Sequence, residues 1–176
     1  MLPTVWRGLP SKLQHLVTLV HSLLHPGGGD ISCIDEDDGE GPNLLIFTQF
    51  LAHVEYIGDL LQAAGISSLR MSGDLAQSMR ALATFGTRGA PKVLLLSSQH
   101  HASGINLQVA RHVIICHPYC TPSATFPEAV SFAELQAFEQ QAIGRVRRYP
   151  QTQEVTVHRL FAGDTVEEGL YRGSYQ

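Results

Sequence analysis

Along positions 11–24 (SKLQHLVTLVHSLL) the apolar residues fall at 13, 16, 17, 20, 23 and 24, the spacing of one buried helical face, so the pattern predicts an amphipathic helix opened by Ser11 as N-cap. From 44 onward the pattern changes to short apolar runs separated by helical ones. LLIF (44–47), SSLRM (67–71), KVLLLS (92–97), HVIIC (112–116) and EVTVHRL (154–160) read as strands. Helices are predicted over about 50–64, 75–85 and 134–148, with a last one from about 164. KVLLLS and HVIIC are apolar at consecutive positions, which a strand tolerates only when helices cover both faces of its sheet. The alternation therefore predicts an α/β fold, an open, mostly parallel sheet flanked by helices. In such sheets ligands gather at the carboxyl ends of strands, which directs attention to the loops after 48, 71, 97 and 117.

Between the first helix and the first strand, residues 25–43 (HPGGGDISCIDEDDGEGPN) carry Pro, Gly and most of a charge run, and read as an acidic surface loop. The chain has 176 residues and a net charge of −4, but six of its 16 acidic residues (Asp30, Asp35, Glu36, Asp37, Asp38 and Glu40) sit in that loop. The remainder is basic by two charges, nearly all of them arginine, and three arginines lie within four positions at Arg145, Arg147 and Arg148. Charge thus acts locally here, and a negative total does not exclude a polyanionic partner. A composition of 44% hydrophobic and 16% charged residues excludes a disordered tail or coiled coil and predicts one core. No apolar run approaches a membrane span and the first residues lack a secretory pattern, so neither is expected. The three cysteines are odd in number and without CxxC spacing, which favours a reducing compartment.

The segment 134–148 (ELQAFEQQAIGRVRR) holds the densest chemistry. At 100° per residue Gln141, Arg145 and Arg148 share one face of the predicted helix, while Arg147 turns away. Two forked guanidiniums beside Gly144, which permits close approach, suit a polyphosphate. His112, Cys116, His117 and Cys120 have the residue types of a zinc set, but Cys116 lies in an apolar strand run and the spacing matches no common finger, so no metal site is expected.

In order, SKLQHLVTLVHSLL, LLIFTQF (44–50), MSGDLAQSMR (71–80), KVLLLSSQHHASGINL (92–107), HPYCTP (117–122), FEQQAIGRVRRYPQ (138–151) and VTVHRLFAGDTVEEGLY (155–171) resemble the second, C-terminal RecA-like lobe of superfamily-two helicases, most closely the Swi/Snf-type ATPases of the remodelling and post-replication-repair branches. The resemblance implies a RecA-like lobe of the P-loop-NTPase type over 44–173, a lead-in helix over 1–24 containing Lys12, and an insertion at 123–137. It implies that Arg145 and Arg148 are the phosphate-contacting and finger arginines of helicase motif VI, with Gln141 facing the interlobe cleft. Gly104, Asn106 and Gly144 are implied at the nucleotide. Thr48 and Gln49, Ser97 and Ser98, Gly73 with Arg80, and Arg147 are implied along the nucleic acid.

The implied function is one half of a nucleic-acid-dependent ATPase on double-stranded DNA, in the nucleus. ATP and Mg²⁺ would be held mainly by a first RecA-like lobe, in cis or in trans, because neither Lys12 nor Lys92 stands in a Gly-Lys-Ser/Thr context and no Walker A can form. Asp35–Asp38 imitates an acidic box but lacks a preceding apolar strand. Three features depart from the family: Gln99, His100, His101 and Ala102 replace a basic, glycine-rich lead into GINL; Tyr149-Pro150 replaces an Ile-Gly pair; and the connection from Pro122 to Gln141 is longer. The rival expectation is a non-catalytic interaction module that binds protein through 123–137 or the acidic loop.

Overall fold

A computed structural model describes residues 9–25, 41–71, 74–98, 107–119, 132–149 and 151–174. In chain order these form α1 (Ser11–Leu24), β1 (Asn43–Thr48), α2 (Leu51–Ala63), β2 (Ser68–Arg70), α3 (Leu75–Thr84), β3 (Val93–Ser97), β4 (Ala110–Ile115), α4 (Phe132–Val146), β5 (Thr156–Arg159) and α5 (Val166–Ser174). The five strands make one sheet in the order β2-β3-β1-β4-β5, and every pairing is parallel.

Strand side chains alternate between two cores. Leu44, Ile46, Val93, Leu95 and Ile114 pack under Leu16, Val17 and Val20 of α1 and Val54, Ile57 and Leu61 of α2. Leu45, Phe47, Leu94, Leu96, Val113 and Ile115 face Ala81 of α3 and Phe138, Ala142 and Val146 of α4. Both faces of the central strands are thus removed from water, which is why β1, β3 and β4 read as unbroken apolar runs. This is the open parallel α/β sheet expected from the alternation, in the RecA-like form that the resemblance implies.

Three local expectations change. Ser11 is the first helical residue and not the cap: Pro10 holds the cap position, and its carbonyl accepts from the Leu13 and Gln14 N–H groups at 3.0 and 3.2 Å. The segment read as an insertion, 123–137, runs into α4, whose first residue is Phe132; positions 120–131 lie outside the described residues, as do 26–40 of the acidic loop.

The third change bears on chemistry. α4 ends at Val146 instead of 148. Arg147 still donates helically to Ile143 O at 2.8 Å, but the Arg148 N–H turns to Val146 O at 3.0 Å. Pro150 biases the residue before it away from helix, and the chain tightens just ahead of it. Arg148 therefore stands past the helix, and the shared-face argument holds for Gln141 and Arg145 alone.

Candidate functional site

The predicted site residues fall into two groups at opposite ends of the sheet. Because α4 connects two parallel strands it runs back against them, so its C-terminus lies at the amino edge; the Leu107 N–H, three residues before β4, donates to Arg145 O at 3.0 Å. The loops after β1, β3 and β4 lie at the carboxyl edge, about one strand length (~17–20 Å) away. The carboxyl-end rule therefore locates Thr48, Gln49, Ser97 and Ser98, but not the arginines.

At the carboxyl edge, β1 lies between β3 and β4, two strands consecutive in the chain. Here Thr48 and Ser97, both expected along the nucleic acid, are fully buried, each 0% exposed. The Ser98 N–H donates to Thr48 O (2.9 Å), and its hydroxyl, half-buried, donates to Gln49 O (3.2 Å). Gln49 is itself buried.

The residue that organises this edge is His117. Its Nε2 accepts the Gln49 backbone N–H at 3.1 Å, so the ring proton sits on Nδ1, which donates to Pro118 O at 2.9 Å. Thr48 Oγ1, 2.9 Å from that Nε2, must then donate to it, and the same oxygen accepts from His53 Nδ1 at 3.2 Å. Phe50 stacks on the His117 ring at 5.7 Å. A neutral His117 is built into the fold. Cys116 beside it is an inert core thiol, its pKa pushed up to about 12 by burial. On the next strand pair His112 Nδ1 and His158 Nε2 are 3.2 Å apart. The residues considered as a zinc set are thus engaged separately, and Cys120 lies outside the described residues.

Burial, first, lowers His117, His53, His112, His158 and His21 below the ordinary imidazole value; Lys12 adds repulsion at His53 and His117, and His158 and Arg111 at His112, while Glu167 and the Pro118 carbonyl oppose the drop at His117. The unfolded chain then binds more protons than the folded one once pH falls below about 6.5, so stability is full above that value and is lost as pH descends toward the folded pKa values. A lower Tm is expected at pH 5.5 than at 7.5. His117→Gln, which keeps an acceptor for Gln49 N–H, should flatten that dependence; an unchanged slope in thermal melts contradicts the assignment.

At the amino edge Gln141, Gly144, Arg147 and Arg148 are exposed and Arg145 is half-buried. Arg145 Nε donates to Gln141 O at 3.2 Å, laying the guanidinium along its own helix, and burial pulls its pKa down from the usual arginine value. Among the described residues nothing lies within 4 Å of where a Gly144 Cβ would sit. Interior helical glycine costs about 1 kcal/mol relative to alanine, so packing within this lobe does not account for it.

Arg80, exposed on α3, borders a groove of about 530 Å³ with Gln77, Ser68 and Arg70, apart from both groups. Lys12 pairs with Glu167 of α5 at 2.6 Å, which ties the lead-in helix to the last one. Gly73, Gly104, Asn106, His100 and His101 lie outside the described residues. Sequence reasoning names His117 only among the candidate zinc residues and Gln151 only as the end of a matched segment, and it passes over His53 and Gln108; nothing in residue type marks the contacts they make.

Residues 28–150 match the family described as helicase conserved C-terminal domain. The chain belongs to that family. The helicase lobe is 31% identical over 170 residues to DNA repair protein rad8 of Schizosaccharomyces pombe, covering 95% of this chain and 13% of the relative. It is also 31% identical over 164 residues to the DNA (cytosine-5-)-methyltransferase DMT5 of Cryptococcus neoformans, covering 92% and 6%. Among solved structures, the C-terminal part of the Fun30 ATPase domain superposes with a TM-score of 0.71 at 21% identity, over 100% of this chain and 48% of that one. The helicase lobe thus spans a small part of the curated relatives it matches, which include DNA repair proteins of the Rad5/Rad8 type.

Proposed function

We propose that this lobe completes the active site of a Swi/Snf-like ATPase that moves along double-stranded DNA, by presenting Arg145 and Arg148 to the phosphates of ATP held on a first RecA-like lobe. The observation that carries the reading is the α4 terminus: two arginines follow a glycine with open space above it among the described residues, at a sheet edge separate from the one that offers Ser98. A polyphosphate approaching there meets forked donors without a side chain in the way. Gln141, one turn back, borders the same approach.

Within this chain Lys12 is committed to Glu167, and the described residues hold no cluster of three acidic, His or Cys side chains for Mg²⁺. Both the phosphate cradle and Mg²⁺ therefore belong to the first lobe in this reading, with Gly104 and Asn106 near the nucleotide. What this lobe's residues do is neutralise charge that develops on the transferred phosphoryl group. Ser98, Arg80 and Arg147 are the groups for DNA phosphates; the buried Thr48, Gln49 and Ser97 act by shaping the backbone beneath them. Closure and reopening of the two lobes would move one against the other along the duplex. DNA repair or remodelling work of this kind belongs in the nucleus. Among the described residues no helix is long and apolar enough to cross a membrane.

The isolated chain should hydrolyse no ATP, and adding a first lobe with an intact P-loop should produce turnover stimulated by duplex DNA. Reunited lobes that bind each other and DNA but never turn over would overturn the reading in favour of an interaction module. That module is favoured by Leu75 and Met79, one helical turn apart on α3 and 75% and 62% exposed, an apolar pair suited to a protein partner.

Gly144 offers a cheaper check. Gly144→Ala should stabilise the isolated chain by about 0.5–1 kcal/mol in denaturant melts while lowering turnover of the reunited lobes. Alanine that stabilises with no loss of turnover would remove the glycine from the nucleotide site.

A further inference from the structure

Since α4 stops at Val146, something other than the helical ladder must fix Arg148. Its carbonyl is the centre of a closed ring of hydrogen bonds. Gln108 Nε2 donates to Arg148 O at 2.6 Å, the Gln151 backbone N–H donates to the same oxygen at 2.7 Å, and Gln151 Nε2 donates to Gln108 O at 2.7 Å. Gln151 Oε1 in turn accepts the Gln153 N–H at 3.1 Å. One residue earlier, the Leu107 N–H holds Arg145 O. The ring thus joins the segment that follows Gly104 and Asn106 to the end of α4, across 40 residues or more of sequence.

Burial does not do this job. Arg147, Arg148 and Tyr149 are exposed, Tyr149 at 96%, and they border an open polar groove of about 510 Å³ with Gln151, Thr152, Gln153, Glu154 and Val155. A turn that buries no large side chain takes its geometry from polar contacts, and both glutamines use an amide donor that a carboxylate of the same shape lacks.

We propose that Gln108 and Gln151 are positioning residues for Arg148: together they hold the turn after α4 so that its guanidinium is aimed at the nucleotide phosphates. This rests on the nucleotide reading of Arg148 above. Neither glutamine touches the reacting atoms.

The test is a double-mutant cycle on this chain reunited with a first lobe, at saturating ATP and duplex DNA. Gln151→Glu and Gln108→Glu each remove the donor and keep the shape. Either should lower kcat roughly 10- to 100-fold, the scale of a misplacement near 1 Å, with KM for ATP within about twofold, because Arg148 acts on charge that appears only in the transition state. In an Arg148→Ala background the same glutamate should cost no more than about twofold further, since a residue acting through another has nothing left to act on. Thermal melts of the isolated chain control for folding, and hydrogen exchange at the Leu107 and Gln151 amides, faster by about tenfold or more in the glutamate variants, reads the ring directly.

Losses that add in the Arg148→Ala background overturn the role, as does unchanged exchange at both amides. If Arg148→Ala abolishes turnover while both glutamate variants remain active, the positioning role alone fails. If Arg148→Ala leaves turnover normal, the nucleotide reading fails and the role falls with it.

Discussion

Arg148→Ala and Arg145→Ala, each in the reunited lobes at saturating ATP and DNA, are expected to reduce kcat by roughly 10³- to 10⁵-fold, about 4–7 kcal/mol of transition-state stabilisation. Arg147→Ala is expected to stay within a few-fold. The contrast comes from where the chain leaves the helix. Arg147 continues the ladder through Ile143, whereas Arg148 is turned out by its bond to Val146 O and held by the glutamine ring. Arg145 reaches the same region from the last helical turn. Arg147 is left for a phosphate of DNA, where its loss weakens binding and lowers salt dependence without touching the chemical step. Lysine at 148 should not rescue, because an ammonium does not reproduce a planar fork. Steady-state ATPase rates with thermal melts as folding controls check all four variants. Small, equal effects would remove the arginines from the active site.

The largest stability effect is expected away from the arginines, at the pair that clamps α4 to the sheet. Glu139 of α4 is 2% exposed and receives Arg159 of β5 through Nε at 3.1 and 2.9 Å and Nη2 at 2.8 Å. Removing the guanidinium leaves a buried carboxylate without its counter-ion, a loss usually near 3–5 kcal/mol. Because a third of the Arg159 side chain is in solvent, the loss should fall at or below the foot of that range, and Arg159→Met is expected to cost about 2–3 kcal/mol. For a chain of this size that lowers Tm by about 5–10 °C. Pairing it with Glu139→Leu should recover most of the loss, since two apolar groups need no compensation. A single variant that melts within 2 °C of the parent would mean the clamp contributes little.

The sheet was legible because its evidence is local and repeated. Leu44–Phe47, Val93–Leu96 and Val113–Ile115 announce buried parallel strands by their own composition, and the apolar spacing of α1 gives the helix and its last residue, though not its cap. The arginines were legible as chemistry but not as geometry. Extending α4 to 148 put Arg148 on a helical face, whereas Tyr149-Pro150 already favours an earlier stop. Their place at the amino edge was implicit in the topology, since a helix between parallel strands must run back, yet the rule that ligands gather at carboxyl ends pointed the other way.

What remained hidden depends on pairs distant in sequence. His117 meets Thr48 across 69 positions and Gln151 meets Gln108 across 43. Histidine after a buried strand and glutamine in a polar turn are ordinary surface types, and no periodicity marks them. The burial of Thr48 was hidden for a related reason: a hydroxyl at the end of a strand reads as exposed, and only the histidine folded over the edge shows that this one is not.

The central claim is that the α4 terminus meets the nucleotide across an interface with a first lobe. The measurement that tests it most directly is a structure of the reunited lobes with duplex DNA and a planar fluoride analogue of the transferred phosphoryl group. The account predicts the Arg148 or Arg145 guanidinium at hydrogen-bond distance, about 3 Å, from the analogue, with the Gln108–Gln151 ring intact behind it. A closed complex in which both guanidiniums point away from the analogue, or in which the carboxyl edge with Thr48 and His117 faces it instead, would contradict the account.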